Sequence, residues 1–292
     1  MPDLYNPDYL KHLCQKYGLS PSKQYGQNYL LDAAVIEEML VAAELATDDA
    51  VVEVGPGFGI LTLALAPKVK KVMAFEIEKK LEPYWEGLAK QYKNLEIIWG
   101  NILKKFPISN ISEIPLATGQ YPNGYKVVAN LPYQITSPVI RLFLENEFPP
   151  TLMVTMVQKE VGERMCAKPG QMSVLAVATQ YFAVPEIVRV VPRALFWPEP
   201  KVDSVVIKLR IKSQELRSKE FEKKFFDIVR AGFANRRKLL IKNLTPIVGK
   251  KNRPELEKIF TNLGLTGNSR AQELSMEQWK ELVHKIQIDI RY

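Results

Sequence analysis

The chain has 292 residues, 47% hydrophobic and 25% charged, the proportions of a globular protein and not of a disordered one. It has no run of eighteen apolar residues and no basic segment followed by an apolar core at its start, so neither a membrane span nor a signal peptide is expected and a cytoplasmic location is. Cys14 and Cys166 are the only cysteines and His12 and His284 the only histidines, which argues for free thiols and against metal centres or histidine-based triads.

The net charge of +8 is uneven. Residues 201–292 hold 21 Lys/Arg against 11 Asp/Glu, whereas residues 1–200 hold 19 against 21. A basic C-terminal third suggests a polyanionic partner, although a solvated lysine-rich helical surface would give the same balance.

Residues 7–17 read as a short helix carrying His12 and Cys14. From residue 51 to about 209, short β-branched runs alternate with helical stretches. Strands are expected at 50–54, 71–76, 95–99, 126–130 and 152–157, with helices between them at 60–66, 78–92 and 137–146. Nearly continuous apolar strands in this alternation argue for a parallel sheet covered on both faces. Two further strands, 186–192 and 204–211, are separated by 193–203 without a helix and suit an antiparallel pair at one end.

Beyond about residue 213 the apolar period becomes 3.6. Phe221, Phe225, Ile228 and Val229 form one face, and Leu239, Leu240 and Leu244 another. Pro254 suits a helix start and Gly264 its end. Ser275 and Gln278 make a capping box ahead of Trp279, Leu282, Val283 and Ile286. The expected organisation is an α/β domain over 1–212, with a helical extension at 1–24, followed by a small all-helical domain over 213–292.

The chemistry-bearing residues fall at strand ends. Glu53-Val54-Gly55-Pro56-Gly57-Phe58-Gly59 joins the first strand to a helix, and its glycines let backbone approach a ligand. The spacing is neither the dinucleotide fingerprint nor a Walker loop. Glu76 ends the second strand, where a carboxylate can accept both hydroxyls of a ribose. Gly100-Asn101-Ile102 follows the third strand, where an edge could pair with adenine. Asn130-Leu131-Pro132-Tyr133 follows the fourth: carbonyl oxygens for the hydrogens of an exocyclic amine, a constrained turn and a ring that can stack on a base. Loop, acid and amides all belong to the carboxyl edge where open α/β sheets bind ligands.

This constellation resembles the class I S-adenosylmethionine-dependent methyltransferases over roughly residues 25–210. Three further segments resemble the KsgA/RsmA family of small-subunit ribosomal RNA adenine dimethyltransferases: Tyr25-Gly26-Gln27-Asn28-Tyr29-Leu30, Phe196-Trp197-Pro198-Glu199-Pro200-Lys201-Val202-Asp203-Ser204, and Phe233-Ala234-Asn235-Arg236-Arg237-Lys238. The fold it implies is a seven-stranded Rossmann-like class I methyltransferase domain with an all-helical C-terminal domain.

The implied cofactor is S-adenosylmethionine, with contacts at Gln27, Asn28, Leu30, Glu53, Gly55, Gly57, Gly59, Glu76, Ile77, Asn101, Ile102 and Asn130. Catalytic roles fall to Asn130, Leu131, Pro132 and Tyr133, with Phe196 stacking on the opposite face of the base. Arg236, Arg237, Lys238 and Lys242, with Lys250 and Lys251, would grip RNA phosphates. The implied partner is small-subunit ribosomal RNA within an immature small ribosomal subunit. Asn101 departs from the usual Asp of the family and weakens an adenine contact. A large-subunit RNA adenine methyltransferase of the antibiotic-resistance type, or a non-catalytic ribosome-assembly factor on the same fold, would carry much of the same pattern.

Overall fold

The computed structural model describes residues 3–20, 28–106, 124–212 and 218–286. The larger of two compact units comprises residues 1–162 and 185–211. Its N-terminal helix α1 (Pro7–Lys16) starts where the Asn6 side chain accepts from the Asp8 and Tyr9 N–H groups, and buries Leu10, Leu13 and Cys14. An Asn N-cap with Pro at the first turn satisfies donors the helix cannot.

The sheet of this unit is built from β2 (Ala50–Val54), β3 (Lys71–Glu76), β4 (Leu95–Trp99), β5 (Tyr125–Asn130), β6 (Leu152–Gln158), β7 (Ala183–Val191) and β9 (Ser204–Ile211). Its order is β4-β3-β2-β5-β6-β9-β7. The first five strands are parallel to their neighbours, and β9 runs antiparallel to β6. All five residues of β2 are buried, which a sheet covered on both faces requires. α2 (Ala33–Ala42), α3 (Ile60–Leu65), α4 (Glu82–Ala89), α5 (Ile102–Lys105) and α6 (Thr136–Leu144) intervene along the chain. Where sequence suggested one helix over 78–92, a 3-10 turn (Lys79–Leu81) precedes α4.

Two features were not legible in the sequence. A two-stranded antiparallel sheet joins β1 (Tyr29–Leu30) to β8 (Phe196–Trp197), pairing Tyr29 with Trp197 and Leu30 with Phe196. Thus two segments about 165 residues apart become neighbours. The second feature is α8 (Val174–Phe182), capped by Ser173, which follows α7 (Lys159–Met165).

The smaller unit comprises residues 163–184 and 212–292, so α8 groups with the C-terminal helices and not with the sheet-bearing unit. The reason is aromatic packing: Tyr181 and Phe182 of α8 meet Phe225 and Phe226 of α9 (Lys219–Gly232), with centroids 4.6 Å apart for Tyr181–Phe225 and 5.5 Å for Phe182–Phe226. α10 (Leu240–Val248), α11 (Arg253–Asn262) and α12 (Met276–Lys285) complete it. The Ser275–Gln278 capping box forms as expected, and Trp279 is fully buried.

Candidate active site

The C-terminal ends of β2, β3 and β5 converge on one cavity with about 920 Å³ of empty space continuous with solvent. Asn28, Leu30, Glu53, Gly55, Gly57, Glu76, Ile77, Asn130, Leu131, Pro132 and Tyr133 line it, as do Tyr29, Pro56 and Phe58. A smaller cavity of about 540 Å³ shares the Gly55, Ile77 and Pro132 walls and adds Asn101, Ile102 and Gln134. Gln27 lies outside the described residues.

The glycine loop is held from behind. Trp85 Nε1 donates to the Gly57 carbonyl at 3.0 Å, and the Tyr84 hydroxyl to the Phe58 carbonyl at 2.7 Å. Gly59 caps α3 with φ +88°, and a Cβ there would sit 2.8 Å from the Trp85 ring. Only glycine meets both demands. No motif announced Tyr84 or Trp85, because their contribution depends on α4 folding back over the loop. Gly59 itself does not line either cavity; its part is the turn.

The two acids behave differently. Glu76 is 4% exposed, and its carboxylate accepts from the Gly57, Ile77 and Glu78 N–H groups at 3.1, 2.7 and 2.8 Å. Burial pushes this carboxyl up, and the three donors pull it back. Glu53 is 2% exposed, and its Oε2 has no hydrogen-bond partner. Burial, with the Glu76 charge acting in the same direction, pushes Glu53 up to about 8. A carboxyl held neutral by burial, with one oxygen unpartnered at a cavity wall, becomes a receptor for a cation when it ionises.

At the end of β5, Asn130 Nδ2 donates over 3.5 Å to the Asn28 carbonyl, and among the described residues nothing donates to its Oδ1. The Leu131 N–H is tied to the Met156 carbonyl at 3.1 Å, and the Pro132 carbonyl receives the Ile135 N–H at 3.1 Å. The turn is therefore rigid. The Tyr133 hydroxyl shares a 2.7 Å hydrogen bond with Ser204 Oγ, which fixes the ring at the cavity wall. Phe196 is placed differently from expectation. It is 4% exposed within the core and does not line the cavity, because the β1–β8 pairing draws it inward. As placed it offers no open face for stacking.

Asn101 caps α5 by accepting the Leu103 N–H at 2.9 Å, and Ile102 is buried beside it. In the smaller unit, Arg236, Arg237 and Lys238 lie on the exposed turn between α9 and α10, and Lys242 is exposed on α10. That turn is fixed by the buried Asn243, whose amide donates to the Gly232 carbonyl at 2.7 Å and the Asn235 carbonyl at 3.1 Å. Nothing in the sequence marks Asn243, since a lone Asn in an apolar helix carries no signal.

A mixed seven-stranded sheet with an acid–glycine loop after β2 and an acid after β3 defines a class I methyltransferase. The profile described as Ribosomal RNA adenine dimethylase matches residues 19–287, and the chain belongs to that family. It is 39% identical to the Ribosomal RNA small subunit methyltransferase A of Bacillus cytotoxicus, over 97% of each chain, and 37% identical to that of Bacillus mycoides over the same share. Among solved structures it is similar to a dimethyladenosine transferase from Plasmodium falciparum (TM-score 0.74, 25% identity, 90% of this chain and 99% of that one). It is likewise similar to the 23S rRNA methyltransferase ErmE (TM-score 0.70, 26% identity, 88% of this chain and 98% of that one).

Family membership makes the protein a methyltransferase that uses S-adenosylmethionine. The residues present fit that group. The unpartnered Glu53 oxygen suits its positive charge, the Glu76 carboxylate can accept from a ribose diol, and the second cavity is floored by Ile77 and Asn101. Among the described residues there is no cluster of three or more metal-ligating side chains, and no helix is long and apolar enough to cross a membrane.

Proposed function

We propose that the protein dimethylates the exocyclic amines of two adjacent adenines in a hairpin loop near the 3′ end of small-subunit ribosomal RNA. The substrate form would be the immature small ribosomal subunit, and the place the cytoplasm. The carrying observation is that Asn130-Leu131-Pro132-Tyr133 shares one cavity with the glycine loop, Glu53 and Glu76.

S-adenosylmethionine, when bound, supplies an already activated methyl group. What remains for the protein is positioning, which needs no strong base. Asn130 Oδ1 and the Leu131 carbonyl are the two acceptors for the amine hydrogens, and together they favour a pyramidal nitrogen with its lone pair directed at the donor. The Asn130–Asn28 bond supports this reading because it turns the oxygen, not the nitrogen, outward. Pro132 holds both acceptors in one turn, and Tyr133 supplies a ring for the base to stack on. After the first transfer the amine keeps one hydrogen, which either acceptor can hold while the second lone-pair attack is aligned.

Such a base must be unpaired or flipped out, which costs least in an RNA loop. Arg236, Arg237, Lys238 and Lys242 would bind phosphates around it; none of the four forms an ion pair with a described residue. The test is methyl transfer from labelled S-adenosylmethionine to purified unmodified small subunits, with large subunits and Asn130→Ala as controls. Dimethyladenosine formed on small subunits only, and lost in the variant, is expected. Transfer to large subunits alone would overturn the substrate assignment, and salt-sensitive binding without transfer would leave a binding factor.

A further inference from the structure

The proline-punctuated segment 196–204 reads as serving the site through Phe196, yet the fold draws that ring into the core. The segment reaches the cavity wall by its other end. Ser204 opens β9, is paired in register with Gln158 at the end of β6, and is fully buried. Its Oγ lies 2.7 Å from the hydroxyl of Tyr133, whose ring lines the cavity together with Asn130. Asp203 pins the start of the strand twice: its carboxylate accepts the Arg193 N–H at 3.0 Å, and its carbonyl accepts the Lys159 N–H at 2.9 Å. Backbone thus holds Ser204, and Ser204 holds Tyr133.

Tyr133 needs that hold. It is half-buried at the start of a one-turn 3-10 segment (Tyr133–Ile135) that follows Pro132. A half-buried tyrosine has more than one staggered χ1 well open to it. A partner for the hydroxyl, at the far end of the ring, selects one well, because any other would carry the oxygen away from Ser204. Resting on the functional reading above, we infer that Ser204 is a positioning residue for methyl transfer. Its hydroxyl sets the direction of the Tyr133 ring on which the target adenine stacks, and through that ring the alignment of the amine with the methyl group. Small misplacements of a reacting group are costly in rate even where the chemical groups are all present. Ser204 acts on the reaction only through Tyr133.

A double-mutant cycle tests this role: Tyr133→Phe, Ser204→Ala and the two together, assayed as kcat/KM for methyl transfer from labelled S-adenosylmethionine to unmodified small subunits. Tyr133→Phe keeps the ring and removes one oxygen, so it should fold as wild type does and lose about fivefold, the scale of one neutral hydrogen bond. Ser204→Ala should lose at least about fivefold, because it strips the half-buried Tyr133 hydroxyl of its partner. The double variant should lose no more than the worse single one. Calorimetric affinity for S-adenosylhomocysteine should stay within about twofold of wild type in all three, since the acids and the glycine loop are untouched. Losses that multiply to about 25-fold or more in the double variant would give Ser204 a separate structural part and overturn its positioning role. So would an unchanged rate in Ser204→Ala, or a fall in S-adenosylhomocysteine affinity equal to the fall in rate. If wild type modifies large subunits instead, the substrate assignment above fails, and the same cycle run on large subunits still decides the role of Ser204. Transfer to neither overturns both.

Discussion

Replacing Glu53 by Gln removes a buried carboxyl while keeping its shape. In the folded protein that carboxyl is pushed from its ordinary 4.5 to about 8 by burial, with one oxygen unpartnered. A carboxyl raised on folding contributes fully to stability below its unfolded value, and that contribution disappears as pH climbs toward the folded one. Each unit within that window removes about 1.4 kcal/mol. Between pH 5 and pH 8 wild type should therefore lose about 3 kcal/mol relative to Glu53→Gln. The buried amide has its own cost of about 1–3 kcal/mol, but that cost is independent of pH and drops out of the slope.

Denaturant unfolding followed by tryptophan fluorescence gives the comparison. Trp85, Trp99 and Trp197 lie in the sheet-bearing unit and Trp279 in the smaller one, so the signal is weighted toward the unit under test. A wild-type minus variant difference that stays flat within about 1 kcal/mol from pH 5 to pH 8 would refute the reasoning. It would mean that Glu53 is charged and satisfied in the folded protein. The same buried carboxyl predicts a cofactor effect. Wild-type affinity for S-adenosylmethionine should rise by up to about fiftyfold from pH 6 to pH 8 as Glu53 ionises, while the variant stays weak and flat by calorimetry.

Asn130→Ala should lower the methylation rate constant by about 10²–10³, the scale for losing one oriented hydrogen-bonding group, while cofactor affinity changes only a fewfold; equal loss of both would place Asn130 in binding alone. Gly59→Ala combines a φ of +88° with a 2.8 Å approach to Trp85 and should cost about 2–4 kcal/mol, read as a lower melting temperature. Asn243→Ala strips two carbonyls at the α9–α10 turn of their donor and should cost about 1–3 kcal/mol and weaken RNA binding. Alanine at Arg236, Arg237 and Lys238 together should leave the melting temperature unchanged but flatten the dependence of log binding constant on log salt by about 2; an unchanged slope would remove this turn from the RNA interface.

The local features follow from the sequence alone. β2 and β3 occupy 50–54 and 71–76 as the apolar runs indicate, because a strand covered on both faces must be largely apolar, and β4 occupies 95–99 as a partly buried edge strand. The Ser275–Gln278 box and the Pro254 helix start form because caps answer to neighbours three residues away. The grouping of Glu53, Glu76 and Asn130 was also legible, since parallel strands deliver their C-terminal ends to one edge.

The features the sequence could not reach depend on contacts distant in sequence. Phe196 reads as a stacking ring in its proline-punctuated segment, yet pairing with Leu30 buries it. Residues 163–184 read as part of the first domain, yet Tyr181 and Phe182 find their burial against α9. The oxygen of Asn101 looks free in the sequence and is held by a backbone N–H two residues away once α5 turns. Periodicity specifies which face of an element is apolar. Which distant surface covers that face, and which polar atom remains over for a ligand, is settled only when the chain has closed on itself.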